Sequence, residues 1–125
     1  MNANANPVCW FEIYVQDMAR AKKFYQETFQ VTLQYIDNPE VELWAFPMQG
    51  EKPGCPGTLV KMNGKDSGGG GTIVYFSCDD CLVEAARAEK NGGRVERPKF
   101  SVGKYGFICF VIDPEGNRIG LHSMQ

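Results

Sequence analysis

Phe11-Glu-Ile-Tyr-Val-Gln-Asp17 and Val74-Tyr-Phe-Ser-Cys-Asp-Asp80 decide the fold of this chain. Each is an apolar run that ends in aspartate and passes into an amphipathic segment, to Gln30 in the first case and to Asn91 in the second. β-Branched and aromatic residues suit a pleated, half-buried strand, and aspartate suits the free amides at a helix start. Each copy therefore predicts a strand followed by a helix, with Asp17 corresponding to Asp80. Further along, Pro56-Gly57 leads into Thr58–Lys61 and Pro114-Glu-Gly116 leads into Arg118–Leu121, at nearly the same offset from the aspartate. The pattern is that of a duplication.

Working outward, Cys9–Val15 reads as a strand. Asp17 opens a helix in which Met18, Ala21, Phe24, Tyr25 and Phe29 recur at the spacing of one buried face. Val31–Ile36, Val41–Phe46 and Thr58–Met62 read as three further strands. The second copy predicts a strand at Thr72–Cys78 and a helix over Asp80–Asn91 with Leu82, Ala85, Ala86 and Ala88 inward. Gly92-Gly93 stops that helix, and strands follow at Arg94–Arg97, Gly106–Ile112 and Arg118–His122. The expected fold class is α+β: two tandem βαβββ modules, residues 8–63 and 72–123, forming a curled mixed sheet around a cavity within a single domain, 1–125. Residues 64–71, with four consecutive glycines, are the linker, because such a run costs too much backbone entropy inside a regular element. A phosphate loop is excluded there, since it needs a Lys-Ser/Thr ending and a following helix, and a strand follows instead. Lys99–Gly106, with glycines at 103 and 106, is either a lid or an ordinary connection.

A length of 125 residues with 43% apolar content, eight Phe, five Tyr and two Trp suffices for one packed core. A formal charge of −2 with acids and bases interspersed offers no basic stripe for nucleic acid or anionic lipid. No apolar run approaches the roughly 20 residues that cross a bilayer, and the N-terminus lacks a basic, apolar leader. The expected location is cytoplasmic. Five cysteines, at 9, 55, 78, 81 and 109, are odd in number and lie mostly in apolar strand patterns, which favours reduced thiols. Cys78-Asp-Asp-Cys81 lacks the second pair that a zinc site needs, so a structural role is expected.

The phrase Val15-Gln-Asp17-Met-Ala-Arg-Ala21-Lys-Lys-Phe24-Tyr25, the doubled βαβββ order and the terminal Asp113-Pro-Glu-Gly-Asn-Arg-Ile-Gly-Leu121 resemble the vicinal oxygen chelate superfamily. That group includes glyoxalase I, extradiol dioxygenases, and fosfomycin- and bleomycin-resistance proteins. The resemblance spans about residues 8 to 123 and is specific for the fold but not for the reaction, since one scaffold hosts many chemistries. It implies a cavity between curled sheets, commonly completed by a second subunit, so a homodimer is expected. It also implies a divalent metal held by His or Gln near the start of each module's first strand and by Glu in the last strand. In this sequence those positions fall at Trp10, Ile73, Gly120 and, in module one, Lys61. None of these side chains ligates a metal at neutral pH. The resemblance therefore implies a family member with no metal and no other cofactor.

Alternation along the strands sends Trp10, Glu12 and Tyr14 to the cavity side. By the same reading Ile73, Tyr75 and Ser77, Lys61 with Leu59, and Arg118 with His122 join them. Trp10, Glu12, Tyr14, Lys61, Ile73, Tyr75, Arg118 and His122 are the expected ligand-binding residues. Glu12 is the candidate catalytic residue, because a mid-strand carboxylate among aromatic neighbours is costly unless it is paired or protonated; Lys61 is its expected structural partner. His122, the only histidine, rules out any constellation that needs two. Three functions follow as expectations: a metal-free protein that binds a small, partly aromatic molecule; a metal-dependent lyase or dioxygenase using Glu12, Glu42 and His122 as substitute ligands; or a non-catalytic dimeric scaffold.

Overall fold

The structure is a computed structural model that describes residues 6–48 and 55–125; most of the N-terminal stretch on which the leader expectation rests, residues 1–5, lies outside the described residues. Along the chain run β1 (Val8–Tyr14), α1 (Met18–Phe29), β2 (Gln34–Ile36), β3 (Glu42–Ala45), β4 (Gly57–Lys61), β5 (Thr72–Ser77), α2 (Cys81–Lys90), β6 (Arg94–Ser101), a 3-10 turn at Gly103–Tyr105, β7 (Phe107–Ile112) and β8 (Arg118–Ser123). This is βαβββ twice in an α+β chain, as the duplication predicts. The chain divides into two compact units, Trp10–Ile73 and Val74–Gln125, the latter joined by the stretch that ends at Cys9.

In the first unit the strands lie in the order β2-β3-β4-β1. β1 and β4 are parallel, and the other two pairs are antiparallel. Asp17 sits in extended backbone and accepts a hydrogen bond from the Arg20 amide at 3.0 Å, which satisfies one of the free N–H groups of α1. One face of the sheet packs Ile13, Val15, Leu33, Trp44, Phe46 and Leu59 against Met18, Ala21 and Tyr25 of α1. Phe24 and Phe29, expected in that face, are 57% and 60% exposed. Met18, Ala21 and Tyr25 already fill the stripe that faces the sheet. Phe24 lies about 100° around the helix from Tyr25, and Phe29 at the last turn stacks on Tyr25 from outside, 6.3 Å between centroids. β2 is shorter than Val31–Ile36 because Gln30 ends the helix in left-handed backbone and the Gln26 side chain takes the Leu33 amide at 2.9 Å. The expected linker is tied to this unit, with Gly71 O accepting from the Tyr14 amide at 2.7 Å and Lys65 O accepting from Gln16 Nε2 at 2.8 Å.

In the second unit the order is β5-β8-β7-β6, with β5 and β8 parallel and the remaining pairs antiparallel. Asp80 Oδ1 caps α2 by accepting from the Leu82 amide at 3.0 Å and from Lys99 Nζ at 2.9 Å. These bonds, with that from Lys99 foremost, hold the Asp80 carboxyl below its ordinary range. Ser123 Oγ accepts from the Cys81 amide at 3.0 Å, which fixes the first turn with Cys81 toward the sheet. Cys81, Ala85 and Ala88 therefore face the core with Phe76, Val95, Phe107, Cys109, Val111, Ile119 and Leu121. Leu82 and Ala86, expected inward, are exposed.

β6 runs four residues past the expected Arg97, with irregular pairing between Val95 and Arg97 and between Arg97 and Phe100. It is an edge strand of this unit, where Pro98 is tolerated because no neighbour asks for its amide. The expected lid or connection is thus partly strand. Asp113 accepts from the amides of Glu115 and Asn117 at 2.9 and 2.8 Å, and Gly116 takes φ 87° to close the β7–β8 turn.

Leu59 is fully buried against α1 while Lys61, two residues on, is exposed on the same side. Leu59→Ala is expected to lower stability by about 2–5 kcal/mol, and Lys61→Ala to change it by less than ~0.5 kcal/mol. Urea unfolding of both variants checks the pair.

Candidate functional site

Residues directly opposite in a ladder share a face, so the registers sort every side chain. In the first unit Glu12 pairs with Thr58, Ile13 with Leu59, and Tyr14 with Val60. Ile13 and Leu59 pack on α1. Trp10, Glu12 and Tyr14 consequently occupy the opposite, far face with Thr58 and Val60 of β4 and with Leu43 and Ala45 of β3. Leu59 and Lys61 do not belong there, contrary to the expectation from sequence. Lys61 lies opposite Glu42 on the helix side and is not the partner of Glu12. Instead Tyr14 donates its hydroxyl to Glu12 Oε1 at 3.3 Å. Glu42 accepts from Trp44 Nε1 at 3.0 Å on the helix side. Glu12 and Glu42 thus stand on opposite faces of one sheet and cannot share an ion.

The second unit gives the same geometry with different chemistry. Tyr75 pairs with Gly120 and Ser77 with His122, while the intervening Phe76 and Leu121 pack on α2. The far face here holds Tyr75, Ser77, Ile108, Phe110, Arg118, Gly120 and His122. A Cβ placed on Gly120 would lie 2.2 Å from the Tyr75 ring, so the ring fills the space in which a side chain at 120 would begin. Tyr75 is buried and packs edge-on to Phe110 at 6.0 Å, and Phe110 lies 6.1 Å from Phe100. The Arg118 guanidinium lies 4.0 Å over the Phe110 ring, and its Nε donates to Glu96 Oε1. Arg97 lies 3.5 Å over Phe100. His122 Nε2 is 2.5 Å from the Tyr105 carbonyl. A carbonyl only accepts, so Nε2 carries the proton and Nδ1 is the nitrogen left for other chemistry.

The parallel registers also locate the position that corresponds to Gly120 in module one. Two residues past Ile73 is Tyr75, opposite Gly120; two residues past Trp10 is Glu12, opposite Thr58. The counterpart is therefore Thr58 rather than Lys61. The offset from the turn glycine, four residues in each module, points to Lys61 instead, because Asp113–Asn117 form a hairpin turn before β8 whereas β4 starts directly at Gly57. Thr58 Oγ1 is buried without a hydrogen-bond partner among the described residues. The four positions that the resemblance assigns to a metal are thus Trp10, Thr58, Ile73 and Gly120. A tryptophan, an isoleucine and a glycine offer no ligating atom, and one neutral hydroxyl does not hold a divalent ion. These residues do not fit the family's metal. Among the described residues no three His, Cys, Asp or Glu come together as a metal site.

Cys78 is equally unsuited to thiolate chemistry. Burial, then the nearby Glu84 carboxylate, pushes the Cys78 thiol up to about 12. Burial together with Cys81 does the same to Cys109. Both remain protonated thiols at neutral pH.

A model of the Glyoxalase/Bleomycin resistance protein/Dioxygenase superfamily matches residues 8–121, and the chain belongs to that family. It is similar to the putative glyoxylase CFP32 of Mycobacterium bovis, 27% identical over 127 residues, a match that covers 90% of this chain and 43% of that protein. The chain thus spans less than half the length of the curated relatives it matches. Among solved structures it resembles methylmalonyl-CoA epimerase from Mycobacterium tuberculosis, with a TM-score of 0.69 at 17% identity, covering 100% of this chain and 93% of that one. A hypothetical protein from Bacillus halodurans gives a TM-score of 0.73 at 13% identity, covering 98% and 96%. At these identities the structural likeness shows the fold.

The Tyr75 ring and the missing Cβ at 120 are a coupled pair. Gly120→Ala is expected to cost about 1–3 kcal/mol by overpacking, and markedly less when Tyr75 is already alanine. A double-mutant cycle by urea unfolding measures the coupling; equal costs in both backgrounds would contradict it.

Proposed function

We propose that this chain binds a small, partly aromatic molecule on the far face of its second unit without help from a metal ion. The observation that carries the reading is the Tyr75 ring laid over Gly120, where the resemblance assigns a metal-binding glutamate. A carboxylate cannot return to that position unless the ring leaves. Tyr75 and Phe110 supply flat apolar surface, while Arg118 and His122 supply a few polar atoms, the usual composition of a small-molecule site. A curated relative named a putative glyoxylase supports the small-molecule part of the reading. Glu12, which accepts a hydrogen bond from Tyr14 on the far face of the first unit, is a separate candidate group and takes no part in this site. The net charge of −2 argues against a nucleic-acid partner.

The test is a thermal-shift screen of small planar molecules, run in parallel with and without a strong chelator. A ligand at a hundred times its Kd stabilises the fold by about 2.7 kcal/mol. The reading expects hits whose stabilisation is unchanged by the chelator. Stabilisation that needs an added divalent ion and disappears with the chelator would overturn it.

A further inference from the structure

Three arginines share the far face of the second unit. Arg94 lies opposite Ile112, which in turn lies opposite Arg118, and Arg97 lies opposite Phe110. Among the described strand residues of this face Glu96 is the one carboxylate, so positive charge prevails. Two of the arginines are held in place. The Arg118 guanidinium rests 4.0 Å over the Phe110 ring and donates through Nε to Glu96, and its side chain is 27% exposed. Arg97 rests 3.5 Å over the Phe100 ring, and the two rings are 6.1 Å apart. The irregular pairing on both sides of Arg97 in β6 sets this aim, because a bulge redirects side chains at a sheet edge.

A guanidinium stacked on a phenyl ring keeps its N–H donors in its own plane, pointing sideways, and keeps its second face for another flat group. In Arg118 the Nε edge is taken by Glu96, and the outer fork is the part that can meet an oxyanion bidentately. In Arg97, which is exposed, both the fork and the outer face can meet a ligand. We propose that Arg97 and Arg118 form a recognition site for an aromatic carboxylate: the carboxylate sits on the outer fork of Arg118, and its ring lies on the outer face of the Arg97 guanidinium. This names the ligand class for the metal-free site proposed above and rests on that reading. The site lies wholly within strands β6, β7 and β8.

The test is an amide and arginine Nε–H NMR titration of the full chain with benzoate, cyclohexanecarboxylate and inorganic phosphate, each with chelator present. Benzoate is expected to move the resonances of Arg97, Phe100, Phe110 and Arg118, and to bind several-fold more tightly than the other two. Arg118→Gln should weaken benzoate about tenfold, the loss typical of a hydrogen bond to a charged group, and Arg97→Gln several-fold, through the lost contact between guanidinium and ring. Arg87→Gln on α2 should change nothing. Glu96→Gln removes the competing carboxylate and should tighten benzoate several-fold, an effect that a purely structural Arg118–Glu96 pair does not predict. A wild-type-like spectrum shows that each variant folds. The proposal is overturned if benzoate moves none of these resonances, if phosphate binds as tightly as benzoate, or if the arginine variants bind like the wild type. Because chelator is present throughout, a metal requirement found in the thermal-shift screen counts against the earlier reading, and the titration decides this site by itself.

Discussion

The ring of Tyr75 and a side chain at position 120 cannot occupy the same space. In β8 that position lies directly across the parallel ladder from Tyr75, and with glycine there the aromatic ring takes the space a Cβ would fill. The same strands place Phe110 edge-on to Tyr75 and Arg118 on the face of Phe110. One exclusion thus organises a chain of contacts that runs from the position where relatives are expected to hold a metal out to the edge strand. Gly57 stands in a similar relation to Phe11 on the helix side of the first unit, where an added Cβ would lie 2.4 Å from the ring. There the aromatic lies on the helix side of the sheet; at Gly120 it fills the far face.

Much of the fold was legible in the chain because its signals are local. Asp17 and Asp80 cap the helices they were expected to cap, and the strand–helix order of each module follows from alternation and capping alone. What escaped was set by contacts between elements distant in sequence. Leu82 reads as a core residue on its own helix, yet Ser123, from the far end of the chain, takes the Cys81 amide and turns Leu82 outward. Val31 and Thr32 read as strand, yet the Gln26 side chain captures the next amide, that of Leu33. The extension of β6 through Pro98 follows from its place at an edge, which no local pattern encodes.

The candidate site was legible to the same degree. Trp10, Glu12, Tyr14, Tyr75, Arg118 and His122 could be assigned to one side of their strands because β1, β5 and β8 alternate cleanly. Lys61 could not be assigned correctly, since its face depends on the register between β1 and β4, and a turn of different length precedes each module's last strand. Thr58, Phe100, Phe110 and Arg97 left no signal of their own. They enter through ladder pairing and through bulges, both properties of the assembled sheet. The expected Glu12–Lys61 pair shows the physical cost of an error of this kind, because a slip of one residue in a strand carries a side chain through the sheet to the other face.

We propose that this family member carries an aromatic floor where the resemblance expects a metal centre, on a scaffold known to host many chemistries. Equilibrium dialysis of protein purified without a metal-affinity tag, against Ni²⁺, Zn²⁺, Mn²⁺ and Fe²⁺ with elemental analysis of both compartments, tests it most directly. The account predicts no stoichiometric ion retained for any of the four. About one tightly held ion per chain would contradict it and would require a ligand set that the present arrangement of Trp10, Thr58, Ile73 and Gly120 does not contain.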